Sequence, residues 1–178
     1  MRNSLHFSTG NDECETPQDL YNELDAEFHF TRDVCATPEN AKHKRFWTKE
    51  DNCLTKVWSG VCWMNPPYSK RERACKKKCK KKRCEKRGFH LTEDKPGLYQ
   101  FVEKAAIEAV LGRATTVCLL AARTDVQWWH DYVWNSCKHR QITGVEVRFI
   151  RGRLRFSGAE DSAPFPSVVV IFHRSKSW

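Results

Sequence analysis

The chain has 178 residues, 40% of them hydrophobic, and a formal net charge of +9. That length and content support one folded domain with a real core, spanning 1–178, and exclude a polar disordered chain. No apolar run reaches membrane-spanning length and Met1 to His6 hold no apolar signal core, so a cytoplasmic chain is expected.

Residues 1–13 are polar. Thr16 and Pro17 then read as the N-cap and first position of a helix, with Asp19 in its first turn and Leu20, Leu24 and Phe28 along one face. Phe30 to Ala36 reads as a strand running into a loop, and Thr37 to Asn40 as a turn or short helix. Residues 42–58 are irregular. Their aromatics Phe46, Trp47 and Trp58 suit either an adenine ring or a hydrophobic lid. Val61-Cys62-Trp63-Met64 is a short buried strand.

That strand runs into Asn65-Pro66-Pro67-Tyr68. Two prolines lack the N–H groups a sheet interior needs, so the chain leaves the sheet there. Asn65 and Tyr68 therefore sit at a strand's carboxyl end, where open α/β sheets bind ligands. An amide with acceptor and donor atoms beside an aromatic face suits a planar group carrying an exocyclic amine. The plain alternative is a Pro-rich strand exit.

Leu98 to Leu111 reads as an amphipathic helix stopped by Gly112. Thr115 to Leu120 is a buried strand. Thr124 or Asp125 is expected to cap the next helix, which carries Trp128, Trp129, Tyr132 and Val133. Val145 to Phe149 alternates as a strand, Arg151 to Phe156 reads as a turn and hairpin arm, and Ser167 to Phe172 as a final buried strand. Strands alternating with helices predict an α/β sheet, mostly parallel, with an antiparallel edge near the C-terminus.

The positive charge is localised. Lys70 to Arg87 holds twelve Lys/Arg and two acids, leaving 19 basic and 20 acidic residues elsewhere. Such a block points to a polyanion, nucleic acid first. Nine cysteines, an odd number, fit a reducing compartment with thiols or metal ligands. Cys75, Cys79, Cys84 and His90 form a Cys3His set of the kind that holds a structural zinc. The segment 70–96 has few apolar residues to fold around, and a metal would supply its order. The alternative is a Lys/Arg loop with incidental cysteines.

In order along the chain, Glu15 to Leu20, Phe30 to Ala41, Asn65 to Ser69, Leu119 to Asp125 with Trp128-Trp129-His130, and Arg151-Gly152-Arg153 through Ala163 to Ser167 resemble the phage-type DNA adenine-N6 methyltransferases. The match spans nearly everything outside the basic segment. It departs from broader DNA methyltransferases in lacking a Gly-rich loop after the first strand, and in carrying Ala121 where proline is common. The resemblance implies a Rossmann-like fold, S-adenosylmethionine as cofactor, DNA as partner and the cytoplasm of a host cell as location. It implies a catalytic set of Asn65, Pro66, Pro67 and Tyr68. The Asn65 side-chain oxygen and the Pro66 carbonyl would accept from the adenine amine, and Tyr68 would stack on a base flipped from the duplex.

For the cofactor the resemblance implies Thr16, Pro17, Asp33, Cys35, Ala36, Asp51 and Asn65. Asp33 alternatively caps the next turn. Lys70, Arg71, Lys76, Lys77, Lys80, Arg123, Arg151 and Arg153 are the expected DNA contacts, with Arg155 beside them; a surface salt bridge for Arg123 and a solvated hairpin for the last arginines are the alternatives. Other acceptors with the same motif chemistry are cytosine N4, RNA adenine and protein glutamine. An inactive zinc-containing nucleic-acid-binding protein is the reading from a different class. Target sequence and oligomeric state stay open.

Overall fold

The computed structural model describes residues 15–76, 79–158 and 161–175. Along the chain it places helix α1 (Gln18–Phe28), strand β1 (Arg32–Asp33), a 3-10 turn (Cys53–Thr55), β2 (Gly60–Met64), α2 (Lys82–Arg87), α3 (Leu98–Val110), β3 (Ala114–Ala121), α4 (Gln127–Tyr132), β4 (Trp134–Asn135), β5 (Arg140–Gln141), β6 (Val145–Phe149) and β7 (Ser167–Phe172).

Five strands form one sheet in the order β1-β2-β3-β7-β6. The first three are parallel, and β7 runs antiparallel to both β3 and β6. The antiparallel pairing thus lies on the C-terminal side, with β6 at the outer edge. The other edge is covered by residues 45–47: Asp33 and Ala36 donate backbone N–H groups to Arg45 and Trp47, and Trp47 donates back to Asp33. A two-stranded ribbon, β4–β5, stands apart.

Side chains alternate across the sheet, as the pleat requires. Cys62, Met64, Cys118, Leu120, Val168 and Val170 pack beneath Phe101, Val102 and Ala105 of α3 and Trp128 and Trp129 of α4. Trp63, Val117, Leu119, Val169 and Ile171 face the other way, against Tyr21 and Leu24 of α1. Trp58 fills the first of these layers completely buried, its indole N–H on the Cys53 carbonyl at 2.8 Å. It is core rather than lid. On the rim, Arg148 of β6 forks onto Glu27 of α1 with two contacts of 2.6 Å.

Three local expectations change. Helix α1 starts at Gln18 with Pro17 at its cap, and Thr16 makes no capping bond. Its hydroxyl is engaged elsewhere, as described below. Helix α4 starts at Gln127 with Val126 at the cap, so neither Thr124 nor Asp125 caps it. Arg151 to Phe156 forms no hairpin arm. It is a loop turning at Gly152 (φ 79°), held by the Ala163 N–H on the Leu154 carbonyl and the Ser157 N–H on the Glu15 carbonyl.

The chain between β2 and α3 leaves and re-enters through a narrow waist. Ser69 accepts from the Leu98 N–H at 2.9 Å, and Glu72 and Lys95 exchange both backbone bonds. Gly97 sits where a Cβ would stand 2.1 Å from the Arg71 nitrogen, so only glycine lets the two arms meet.

Candidate active site and metal clasp

Asn65 follows β2 directly, and its amide is held from both ends. Its Nδ2 donates to the Thr16 hydroxyl at 3.1 Å, and its Oδ1 accepts from the Tyr68 hydroxyl at 3.0 Å. The Tyr68 hydroxyl also reaches the Leu119 carbonyl at 3.2 Å. Thr16 is 2% exposed, fixed in turn by the Ser157 hydroxyl on its carbonyl. Thr16 and Tyr68 thus hold one amide, and Ser157 and Leu119 of β3 bond to those two residues in turn. Pro66 is buried, while Asn65 and Tyr68 are half-buried and keep contact with the surface.

The Tyr68 ring packs edge-on against Phe165 at 5.4 Å between centroids and lies 6.4 Å from Phe156. Sequence reasoning missed both phenylalanines. The only local signal is the place of Phe165 between two prolines, Pro164 and Pro166. A buried hydroxyl, Ser69 Oγ, has no partner among the described residues one position beyond Tyr68.

Asp33 ends β1 in register with Trp63, two positions before Asn65. It is 2% exposed, and its carboxylate accepts from the Cys35 and Lys42 backbone N–H groups at 3.1 and 3.2 Å. Burial pushes its pKa up to about 6, against the pull of those N–H groups and of His43 and Lys42. Asp33 thus organises the loop 34–42 in which half-buried Cys35 and buried Ala36 lie. Pro17 adjoins Thr16. Asp51 is exposed and closes a turn by accepting from the Thr48 N–H and hydroxyl, and those bonds hold its carboxyl below the ordinary range. It is not drawn into the Asn65 cluster by any of these bonds.

The basic segment carries a second constellation. Cys75, Cys79, Cys84 and His90 bring their ligand atoms within 4.8 Å of one another, with sulfur separations of 3.4 Å (Cys75–Cys84) and 3.8 Å (Cys79–Cys84). A tetrahedral ion with metal–sulfur bonds near 2.3 Å separates its sulfurs by roughly 3.8 Å. The set can hold a metal. Cys84 lies on α2, and Gly88, at φ 78°, turns the chain off that helix toward His90. The arms are tied by the Cys75 N–H on the Leu91 carbonyl, by Arg71 on Asp94 at 2.6 Å, and by Arg83 and Arg87 on Glu72.

Of the expected DNA contacts, Lys70, Arg71, Lys76 and Lys80 are exposed on this segment or its arms; Lys77 lies outside the described residues. Arg123 is half-buried just past β3, where the Ala122 N–H meets the Pro166 carbonyl. Arg151 and Arg153 are exposed on the loop after β6, and Arg153 donates to the Ala163 carbonyl at 3.4 Å. No helix among the described residues is long and apolar enough to cross a membrane.

Comparison with known proteins identifies the family. Residues 4–177 match the family described as DNA N-6-adenine-methyltransferase (Dam). A curated relative, the DNA N-6-adenine-methyltransferase of Haemophilus phage HP1, is 31% identical over 145 residues, covering 80% of this chain and 66% of the relative, just under two thirds of its length.

Proposed function

Because the chain belongs to the DNA N-6-adenine-methyltransferase (Dam) family, we propose that it transfers a methyl group from S-adenosylmethionine to adenine N6 in DNA. The observation that carries this reading is the doubly anchored Asn65 amide at the end of β2, with the Tyr68 ring beside it.

An adenine amine is a weak nucleophile because its lone pair is delocalised into the ring. On this reading Asn65 Oδ1 and the Pro66 carbonyl accept its two hydrogens, which favours a pyramidal nitrogen with an available lone pair. Thr16 and Tyr68 hold the Asn65 amide so that this acceptor needs no reorganisation when the base arrives. The Tyr68 ring, supported edge-on by Phe165, receives the base once it leaves the duplex, a step costing roughly a few kcal/mol. Bound S-adenosylmethionine supplies an electrophilic sulfonium methyl. The N6–CH3 bond would form as the S–CH3 bond breaks, leaving the neutral thioether, and the surplus proton of the amine would pass to solvent. Positioning of this kind contributes about 7–11 kcal/mol in well-aligned systems.

The residues present fit that cofactor. The Asp33-organised loop with Cys35 and Ala36 and the Thr16–Pro17 segment lie at the strand ends around Asn65. Ser69 Oγ, one position past Tyr68, is a buried hydroxyl with polar capacity unused among the described residues. Asp33 acts through the loop it folds, and Asp51 is the weakest member of the set.

The four-ligand clasp we read as a structural zinc site, since thiolate and imidazole in tetrahedral spacing suit that ion. Lys70, Arg71, Lys76, Lys80, Arg123, Arg151 and Arg153 then serve the DNA backbone, which gives affinity with little sequence information. The thiols keep their ligand form in a reducing cytoplasm.

The deciding experiment is transfer of labelled methyl to duplex DNA with nucleoside analysis, for the unmodified protein and for Asn65→Ala. N6-methyladenine is expected from the first, and a fall in kcat of at least about a hundredfold in the second with the fold intact. Near-normal turnover by Asn65→Ala removes the catalytic assignment. Label appearing in RNA or protein but not DNA redirects the acceptor.

A further inference from the structure

The clasp presents one feature that neither metal binding nor phosphate contact uses. Phe89 is 57% exposed and belongs to neither core layer. It sits between Gly88, whose left-handed backbone throws it off α2, and His90, a ligand of the clasp. The Arg87 guanidinium lies over one face of its ring at 4.6 Å and donates from Nε to the Phe89 carbonyl at 3.3 Å. Arg87 is itself anchored on Glu72 of the waist at 3.3 Å. The other face of the ring is left to the outside. A concavity of about 510 Å³ beside the ring is lined by Lys80, Lys81 and Glu85 together with the clasp residues Cys79, Cys84 and His90, and Lys82, Arg83 and Lys86 are exposed on the adjoining α2.

A large ring kept out of the core, yet held on both sides along the chain, loses little freedom when it meets a ligand. The surrounding charge selects a polyanion. A polyanion with planar, stackable groups is a nucleic acid. We propose that Phe89 is a stacking surface for a nucleobase of the DNA substrate, displayed by the clasp on the insert that follows the catalytic loop along the chain. This rests on the reading of the protein as a DNA enzyme. When the target adenine moves into the Asn65 site, neighbouring bases lose a stacking partner, and a rigid aromatic on the adjoining insert is suited to replace it.

The test is equilibrium binding to a mixed-sequence duplex carrying one unpaired adenine, over a series of salt concentrations. Phe89→Ala is expected to weaken binding roughly tenfold at every salt concentration, leaving the slope of affinity against salt unchanged because no phosphate contact is lost. Phe89→Trp restores affinity. Phe89→Leu keeps apolar bulk without a π face and binds as poorly as Phe89→Ala. Metal content and cofactor affinity are expected to be unchanged in all three. Equal affinity for Phe89→Leu and the unmodified chain overturns the proposal, as does a loss seen only with a changed salt slope or with loss of metal. If the unmodified protein fails to bind DNA at all, the functional reading falls first, and this inference with it. Binding and methylation that persist unchanged in Phe89→Ala sink the inference alone.

Discussion

At the residue scale the site depends on Thr16, whose part in it was only half visible in the sequence. A threonine before proline reads as a helix cap, because capping is a local bond. Its actual partner is the Asn65 amide, 49 positions away, and no short-range pattern encodes such a contact. On the proposed function Thr16 is a positioning residue, acting through its bond to Asn65. Thr16→Val keeps the shape and loses the acceptor, and is expected to lower kcat about tenfold or more with KM for DNA little changed. Thr16→Ser is expected to recover most of the rate. A Thr16→Val enzyme that loses only DNA affinity would show that the hydroxyl serves binding instead.

Asp33 yields a second residue-scale expectation with a definite sign. Burial raises its folded pKa to about 6 from an ordinary 3.8. Between those values the folded chain holds a proton that the unfolded chain has released. The contribution of Asp33 to stability is therefore present below about pH 4 and declines as pH rises through about 6. Stability of Asp33→Asn, measured relative to the unmodified chain, should improve steadily across that interval as the buried charge is avoided. A difference that stays flat with pH would mean that the carboxyl titrates normally.

At the scale of elements, legibility followed range. β2, β3 and β7 were readable because a buried strand needs only a run of apolar residues. α3 was readable because its apolar spacing and Gly112 stop are local. The β4–β5 ribbon was not, since two-residue strands carry no periodicity. The position of β7 between β3 and β6 depends on pairing across the whole chain. The Cys3His set was legible from residue types, while the Arg87–Phe89 stack depends on the turn at Gly88. If zinc orders this insert, the purified protein should carry one equivalent per chain, and Cys84→Ser should lose it. Hydrogen exchange at the Cys75 and Gly88 amides, which bond to Leu91 and Cys84, should then rise while exchange in β3 stays slow. Zinc-free protein with the same slow exchange would show that the hydrogen bonds of the arms suffice.

At the scale of the whole molecule, charge and chemistry are separated along the chain. The sheet and its helices carry almost balanced charge, and Lys70 to Arg87 carry the excess. The parallel strands β1 to β3 supply the rigid edge on which Asn65 and the Asp33 loop stand. The loops after β1, β2 and β3 carry the groups of the candidate site. The sequence revealed this division because composition is visible without structure. It did not reveal that Thr16 comes back to the Asn65 amide, with Ser157 bonded to Thr16 in turn.

The waist at Ser69, Gly97 and Leu98 sets how freely the insert can vary. Its two ends meet in a direct backbone contact, so the span to be bridged does not depend on what lies between. Closing a loop across a fixed gap costs only about 0.6 kcal/mol more for each doubling of length. The protein is in that sense a machine tool with a quick-change head: what stands beyond the waist can be exchanged, lengthened or discarded at little cost in loop closure while the sheet and its anchored asparagine remain as they are.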